Sequence, residues 1–208
     1  MNKKNYLLDL NNSKKPFIIY KSDKGFDLYT DFSKKIILNN KNIEKFINKN
    51  TKLKSTHKET DLFIGFFGYE ILNSLIDIKI KKQKTTNFPK GIFYKPETKV
   101  KLSNNLEYKK TRSSNSSDLF KININKKSYK IIFDKFKKKI KSGETYQIKI
   151  CTKYSNKSEI DALDFFCRLV KSNMAPEAFM IKDKNYSIIS CSPENLITKK
   201  NNFITTKP

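Results

Sequence analysis

The chain opens with short apolar runs separated by polar turns. Phe17-Ile18-Ile19-Tyr20 and Ile36-Ile37-Leu38 are β-branched and aromatic and predict strands, with polar, turn-forming residues at 21–25 and 30–35 between them. Ile43, Phe46 and Ile47 recur at helical spacing, so a short helix is expected over 42–50. Residues 62–69 are almost wholly apolar and predict a buried strand, in which Gly65 and Gly68 mark a close backbone approach or a bend. Ile71, Leu72 and Leu75 predict a helix over 70–78. Phe88-Pro89-Lys90-Gly91 reads as a turn, and 92–94 and 100–102 as short strands.

The small polar residues at 111–117 read as a linker. Beyond it, Tyr129, Ile132, Phe133, Phe136 and Ile140 form one stripe of a helix with lysines opposite, Asn125 as its N-cap and Gly143 at its C-terminal stop. Residues 145–155 alternate, with Tyr146, Ile148, Ile150 and Tyr154 on one side and Gln147, Lys149, Cys151 and Lys153 on the other. This predicts a half-buried strand. Ile160, Leu163, Phe166, Leu169 and Val170 define a second amphipathic helix over 159–171. Residues 178–181 and 186–191 flank Lys182-Asp183-Lys184-Asn185 as a hairpin, and 195–198 and 203–206 form a further strand pair.

Composition changes this picture modestly. The 208 residues carry 44 Lys+Arg against 20 Asp+Glu, a net charge of +24. Only Arg112 and Arg168 are arginines, and base-edge and phosphate recognition favours the guanidinium fork. The lysines are spread along the chain, with knots at 79–84 and 135–141, and read as a solvated surface; a basic nucleic-acid-binding protein is the competing class. There is no run of eighteen apolar residues and no signal-peptide pattern at the N-terminus, so a cytoplasmic protein is expected. Cys151, Cys167 and Cys191 lack zinc or disulfide spacing and read as small buried hydrophobes. His57, the single histidine, lies in a polar run and reads as a surface residue.

Two polar side chains stand out by position. Gln147 falls on the outward side of the predicted strand, where it is either solvated or lines a site. Glu194 follows Ser192-Pro193 at a strand end, either as a turn residue or as a carboxylate projecting into a cleft.

The ordered segments resemble the chorismate-utilising enzymes, the family of anthranilate synthase component I and aminodeoxychorismate (para-aminobenzoate) synthase component I. Gly65-Phe66-Phe67-Gly68-Tyr69-Glu70 and Phe88-Pro89 with Gly91-Ile92-Phe93-Tyr94 resemble motifs of their N-terminal lobe. The helix over 128–141 and Lys141-Ser142-Gly143-Glu144-Thr145-Tyr146-Gln147-Ile148 resemble the opening of their chorismate-binding domain. Asn173-Met174-Ala175-Pro176, Ser190-Cys191-Ser192-Pro193-Glu194 and Phe203-Ile204-Thr205-Thr206-Lys207-Pro208 resemble three further motifs. Each motif is short, but their order and spacing are specific.

The resemblance implies an α+β fold of two antiparallel β-sheets packed face to face with flanking helices, incomplete in this chain. It divides the chain into an N-terminal lobe, 1–118, and the start of the catalytic domain, 119–208. Glu194 takes the place of the family's general acid, which protonates the C4 hydroxyl of chorismate as it leaves; hydroxide is a poor leaving group, so the acid must be held protonated. Gln147 stands in the substrate pocket where water-using relatives carry a lysine base; an amide cannot act as a base, which points to amination with ammonia.

The implied partners are chorismate and a glutamine amidotransferase subunit that supplies the ammonia. The implied cofactor is Mg²⁺, with ligands expected beyond Pro208, so the chain alone is expected to be inactive. Ser22 and Pro176 take positions of the family's regulatory tryptophan pocket, although Glu177 replaces its usual aromatic and Lys153 an Arg elsewhere in the motif set. The short N-terminal lobe and Ala175-Pro176 favour aminodeoxychorismate synthase over anthranilate synthase. A noncatalytic remnant that binds the amidotransferase is a further alternative.

Overall fold

The computed structural model describes residues 3–22, 24–51, 58–76, 88–104, 106, 108, 120–192, 195–200 and 203–207. His57, Arg112, Glu194, the 111–117 linker, the 79–84 lysine knot and the end of the helix expected over 70–78 lie outside these residues. The elements run α1 (Lys3–Asn12), β1 (Phe17–Ser22), β2 (Gly25–Ile37), α2 (Ile43–Thr51), β3 (Ile64–Phe67), a 3-10 turn (Tyr69–Ser74) and β4 (Gly91–Lys101). They continue with β5 (Lys121–Ile122), α3 (Lys126–Lys141), β6 (Tyr154–Ser155), α4 (Ala162–Asn173), β7 (Glu177–Lys182), β8 (Ser187–Ser192), β9 (Asn195–Lys200) and β10 (Phe203–Lys207). The fold is α+β, and every strand pairing among the described residues is antiparallel.

The chain forms two compact units, one of residues 1–109 with 162–208 and one of residues 110–161. In the first, six strands make one sheet in the order β3-β4-β2-β1-β7-β8. Alternation along the strands decides which face each side chain serves. Phe17 and Ile19 of β1, Phe26 and Leu28 of β2, and Ala178 and Met180 of β7 pack with Leu7 and Leu10 of α1 and Leu163, Phe166 and Cys167 of α4. The intervening Ile18, Tyr29 and Ile181 join Ile92 and Tyr94 of β4 on the opposite face. Each large side chain sealed this way contributes about 1.5–3 kcal/mol through removal from water. A third group, Leu38, Ile43 and Ile71, seats α2 and the 3-10 turn.

Several elements differ from expectation, each for a physical reason. Of the strand expected at 36–38, Ile36 and Ile37 end the thirteen-residue β2, and the two short strands expected at 92–94 and 100–102 merge, up to Lys101, into one strand, β4. Pairing with β2 carries β4 through its polar middle, and Pro96 sits opposite Phe32 where the register shifts, next to Asp31 at φ 52°. A bulge is where a strand tolerates proline. The buried strand expected over 62–69 is the four-residue β3, half-buried at the sheet edge with Phe67 51% exposed. The two glycines there do permit close approach: a Cβ on Gly65 would sit 1.9 Å from the Ile92 carbonyl oxygen. The helix expected over 70–78 is a 3-10 turn over Tyr69–Ser74. Among the cysteines, only Cys167 is buried; Cys191 is intermediate and Cys151 exposed.

The sequence gives no strong signal for α1, because its apolar content is modest and no acidic residue opens it. Tertiary contact supplies what local propensity lacks. Leu7 and Leu10 dock on the core, and the Lys182 ammonium donates to the Asn11 carbonyl oxygen at 2.7 Å and to Asn11 Oδ1 at 2.5 Å. A cation at a helix C-terminus satisfies otherwise orphaned carbonyls.

In the second unit, α3 begins as expected. Asn125 accepts from the Ser128 backbone N–H at 2.8 Å, and Gly143 adopts φ 74° just past the C-terminus. The strand expected over 145–155 is reduced to β6, paired over two residues with β5. Alternation assigns faces, but a strand also needs a ladder partner, and β5 offers only Lys121 and Ile122.

Candidate active site

Three strands converge at one end of the six-stranded sheet. β1 runs antiparallel to β7 with Lys21 opposite Ala178, and β7 pairs with β8 with Ala178 opposite Cys191 and Glu177 opposite Ser192. The end of β1, the start of β7 and the end of β8 therefore lie side by side. Ser22 is the last residue of β1 and Pro176 directly precedes β7, so this register brings the two predicted pocket residues to the same end of the sheet. Ser22 is half-buried, with its hydroxyl accepting from the Lys24 N–H at 3.2 Å; Pro176 is exposed.

The turn from α4 into β7 shapes this end. Met174 takes φ 47°, the left-handed conformation that terminates many helices, and its N–H donates to the Val170 carbonyl at 3.2 Å. The Lys21 ammonium crosses from β1 to this turn and donates to the Ala175 carbonyl at 2.6 Å and the Pro176 carbonyl at 3.3 Å. Burial pushes the Cys191 thiol on β8 above its ordinary value, against the opposing field of Lys21.

Glu194 lies outside the described residues, in the two-residue link between the end of β8 at Ser192 and the start of β9 at Asn195. Gln147 is in the second unit, exposed, in the stretch between α3 and β6; its carbonyl accepts from the Thr145 hydroxyl at 3.1 Å.

A second polar centre was not anticipated from the sequence. Asp183, in the β7–β8 turn, is 8% exposed. Its carboxylate accepts from the Lys35 ammonium at 2.5 Å, from the Tyr94 hydroxyl, from the Tyr186 hydroxyl at 3.1 Å and from the Lys184 N–H at 2.7 Å. Burial raises the pKa of this carboxyl group, but the bonds from Lys35, Tyr94 and Lys184 outweigh it and bring the group down to about 2. Burial and the neighbouring Asp183 push the Tyr94 hydroxyl well above the ordinary phenol value. The four donors use the carboxylate's acceptor capacity within the fold, so this centre ties β2, β4 and the hairpin together. In the sequence, Asp183 reads as one polar residue of a turn; only pairing across the sheet reveals its partners.

Among the described residues, no group of three or more His, Cys, Asp or Glu converges on a point that could hold a metal ion. No helix among them is long and apolar enough to cross a membrane.

Comparison with known proteins agrees with the resemblance to chorismate-utilising enzymes. A 99-residue stretch is 31% identical to anthranilate synthase component 1 of Buchnera aphidicola subsp. Pemphigus spyrothecae, covering 48% of this chain and 19% of that protein. The matched stretch is thus about a fifth of that relative's length. The family described as chorismate binding enzyme matches residues 3–208, nearly the whole sequence. This chain belongs to the chorismate binding enzyme family.

Proposed function

We propose that the chain is component I of a chorismate-aminating synthase, using ammonia from a glutamine amidotransferase subunit and forming aminodeoxychorismate. The observation that carries the amination reading is Gln147 at the position where water-using relatives carry a lysine. A carboxamide has no basic lone pair near neutral pH and cannot activate water, whereas ammonia is already a nucleophile. In this reading Glu194 donates its proton to the C4 hydroxyl, which leaves as water, while ammonia supplies the new amine and gives up a proton. Chorismate is a dianion, so a chain of net charge +24 presents a favourable field for its capture.

Ala175-Pro176 supports aminodeoxychorismate as the product. A second reading, anthranilate synthase component I, is favoured by the Buchnera relative. One assay separates them. The protein as its gene produces it is supplied with chorismate, an ammonium salt and Mg²⁺, and the products are resolved by chromatography. Aminodeoxychorismate supports the first reading and anthranilate the second. Failure to consume or bind chorismate overturns both. In the active enzyme, Glu194→Gln is expected to lower turnover by about 10²–10⁴, the range for a lost general acid. Near-normal turnover would remove Glu194 from the mechanism.

A further inference from the structure

We infer that Lys21 is a positioning residue, whose ammonium ties β1 to the turn after α4 and thereby sets the end of β8, the strand that precedes Glu194 in the sequence. The inference rests on the role proposed above for Glu194.

The geometry is specific. Lys21 lies in the middle of the sheet, between Phe26 of β2 and Ala178 of β7. Strand alternation puts it on the same face as Phe17 and Ile19, the face covered by α4. From there its ammonium reaches two successive carbonyls, Ala175 at 2.6 Å and Pro176 at 3.3 Å. Both belong to the turn that ends α4 and starts β7. A positive charge at this place is favourable, because the C-terminus of a helix carries unsatisfied carbonyls and partial negative charge.

The turn is also linked to β8. Glu177, the first residue of β7, pairs with Ser192, the last of β8, and Asn173 Nδ2 approaches the Cys191 carbonyl at 3.5 Å. Pro193 and Glu194 follow directly. A lysine holding the 173–176 turn thus acts on the strand end that precedes the candidate acid. The left-handed backbone of Met174 makes the restraint worth having: a non-glycine residue at φ 47° is held there only by its surroundings. A misplacement of about 1 Å at a reacting group can cost roughly 10²-fold in rate.

Two readouts test this. The first uses the 208-residue chain carrying Cys151→Ser, which removes the exposed thiol, and follows alkylation of Cys191 against pH. Lys21→Met keeps most of the stem but removes the charge, and the Cys191 profile is expected to move to higher pH; Lys21→Arg is expected to restore it. The second uses the active enzyme and chorismate. Lys21→Met is expected to lower kcat roughly 10- to 100-fold with KM changed less, and Lys21→Arg to recover most of kcat. Lys21→Gln, which keeps a donor without charge, serves if the Met variant does not fold.

An unmoved thiol profile, or kcat within twofold of the parent in Lys21→Met, would overturn the inference. A kcat loss that Arg does not relieve at all would also overturn it. If the unsubstituted enzyme does not aminate chorismate, the proposed function falls, and the thiol readout still decides whether the Lys21 charge is held against the end of β8.

Discussion

Phe17, Ile19 and Met180 in the six-stranded sheet are sealed to 0% exposure, whereas α3, with a stripe of five large apolar residues, has no buried residue at all. Phe133 of that stripe is 46% exposed and Ile140 41%. The two regions carry comparably clear periodicities. The difference is the second surface. β1 has a strand on each side and helices α1 and α4 over one face. Within residues 120–161, the strand pairing is limited to two residues each of β5 and β6. Periodicity states which side chains share a face; burial depends on what that face meets.

Four substitutions or conditions probe this contrast, the largest effect first. Phe166→Ala, at a residue 0% exposed and packed edge-on to Phe26 at 6.5 Å, is expected to cost about 3–5 kcal/mol in urea unfolding. A cost below ~1 kcal/mol would mean that the α4 face is far looser than its burial indicates. Gly65→Ala forces a methyl to within 1.9 Å of the Ile92 carbonyl oxygen and is expected to cost about 1–3 kcal/mol by the same measurement.

Asp183 gives the sheet a pH dependence. Its carboxyl pKa falls from the ordinary 3.8 to about 2 on folding, so the native state binds fewer protons than the unfolded chain between these values. The resulting stability is complete above the unfolded pKa and is lost as pH falls from about 4 towards 2. The loss is on the order of 1–2 kcal/mol. Asp183→Asn should flatten the acid limb of a plot of unfolding free energy against pH; an unchanged limb would place the acid sensitivity elsewhere. The smallest effect is expected in the other region. Phe133→Ser on the exposed stripe of α3 should change stability by no more than about 0.5 kcal/mol. A loss of several kcal/mol there would erase the contrast with the sheet.

The same contrast explains which parts of the structure could be read from the sequence. β1, the β7–β8 hairpin and α3 with its Asn125 cap are encoded locally, by apolar runs, a polar turn and a side chain that satisfies a backbone N–H. α1 was not legible, because its helix is secured by Lys182, about 170 residues away, and by docking of Leu7 and Leu10. The alternation at 145–155 was legible as a pattern but misleading as a strand, for want of a ladder partner. In the candidate site, the order of motifs marked Ser22 and Pro176, which the β1–β7 register brings to one sheet end. It did not mark Lys21, whose role depends on carbonyls more than 150 positions along the chain. Nor did it mark the buried carboxylate of Asp183, because a polar turn residue looks the same whether it faces water or a tyrosine hydroxyl.

The position of β1 has a consequence for how the protein is made. Phe17-Ile18-Ile19-Tyr20 leaves the ribosome early and can form its hairpin with β2 at once, since only residues 23 and 24 separate the two strands in the sequence. Its other edge pairs with β7, where Tyr20 meets Phe179 across about 160 residues. At synthesis rates of about 5–20 residues per second, that edge waits roughly 8–32 s for its partner. During this interval a central strand behaves as an edge strand, with unpaired backbone donors and acceptors beside apolar side chains. The nascent chain is therefore most vulnerable to mispairing before residue 177 emerges, and chaperone dependence should fall sharply once the β7–β8 hairpin is complete.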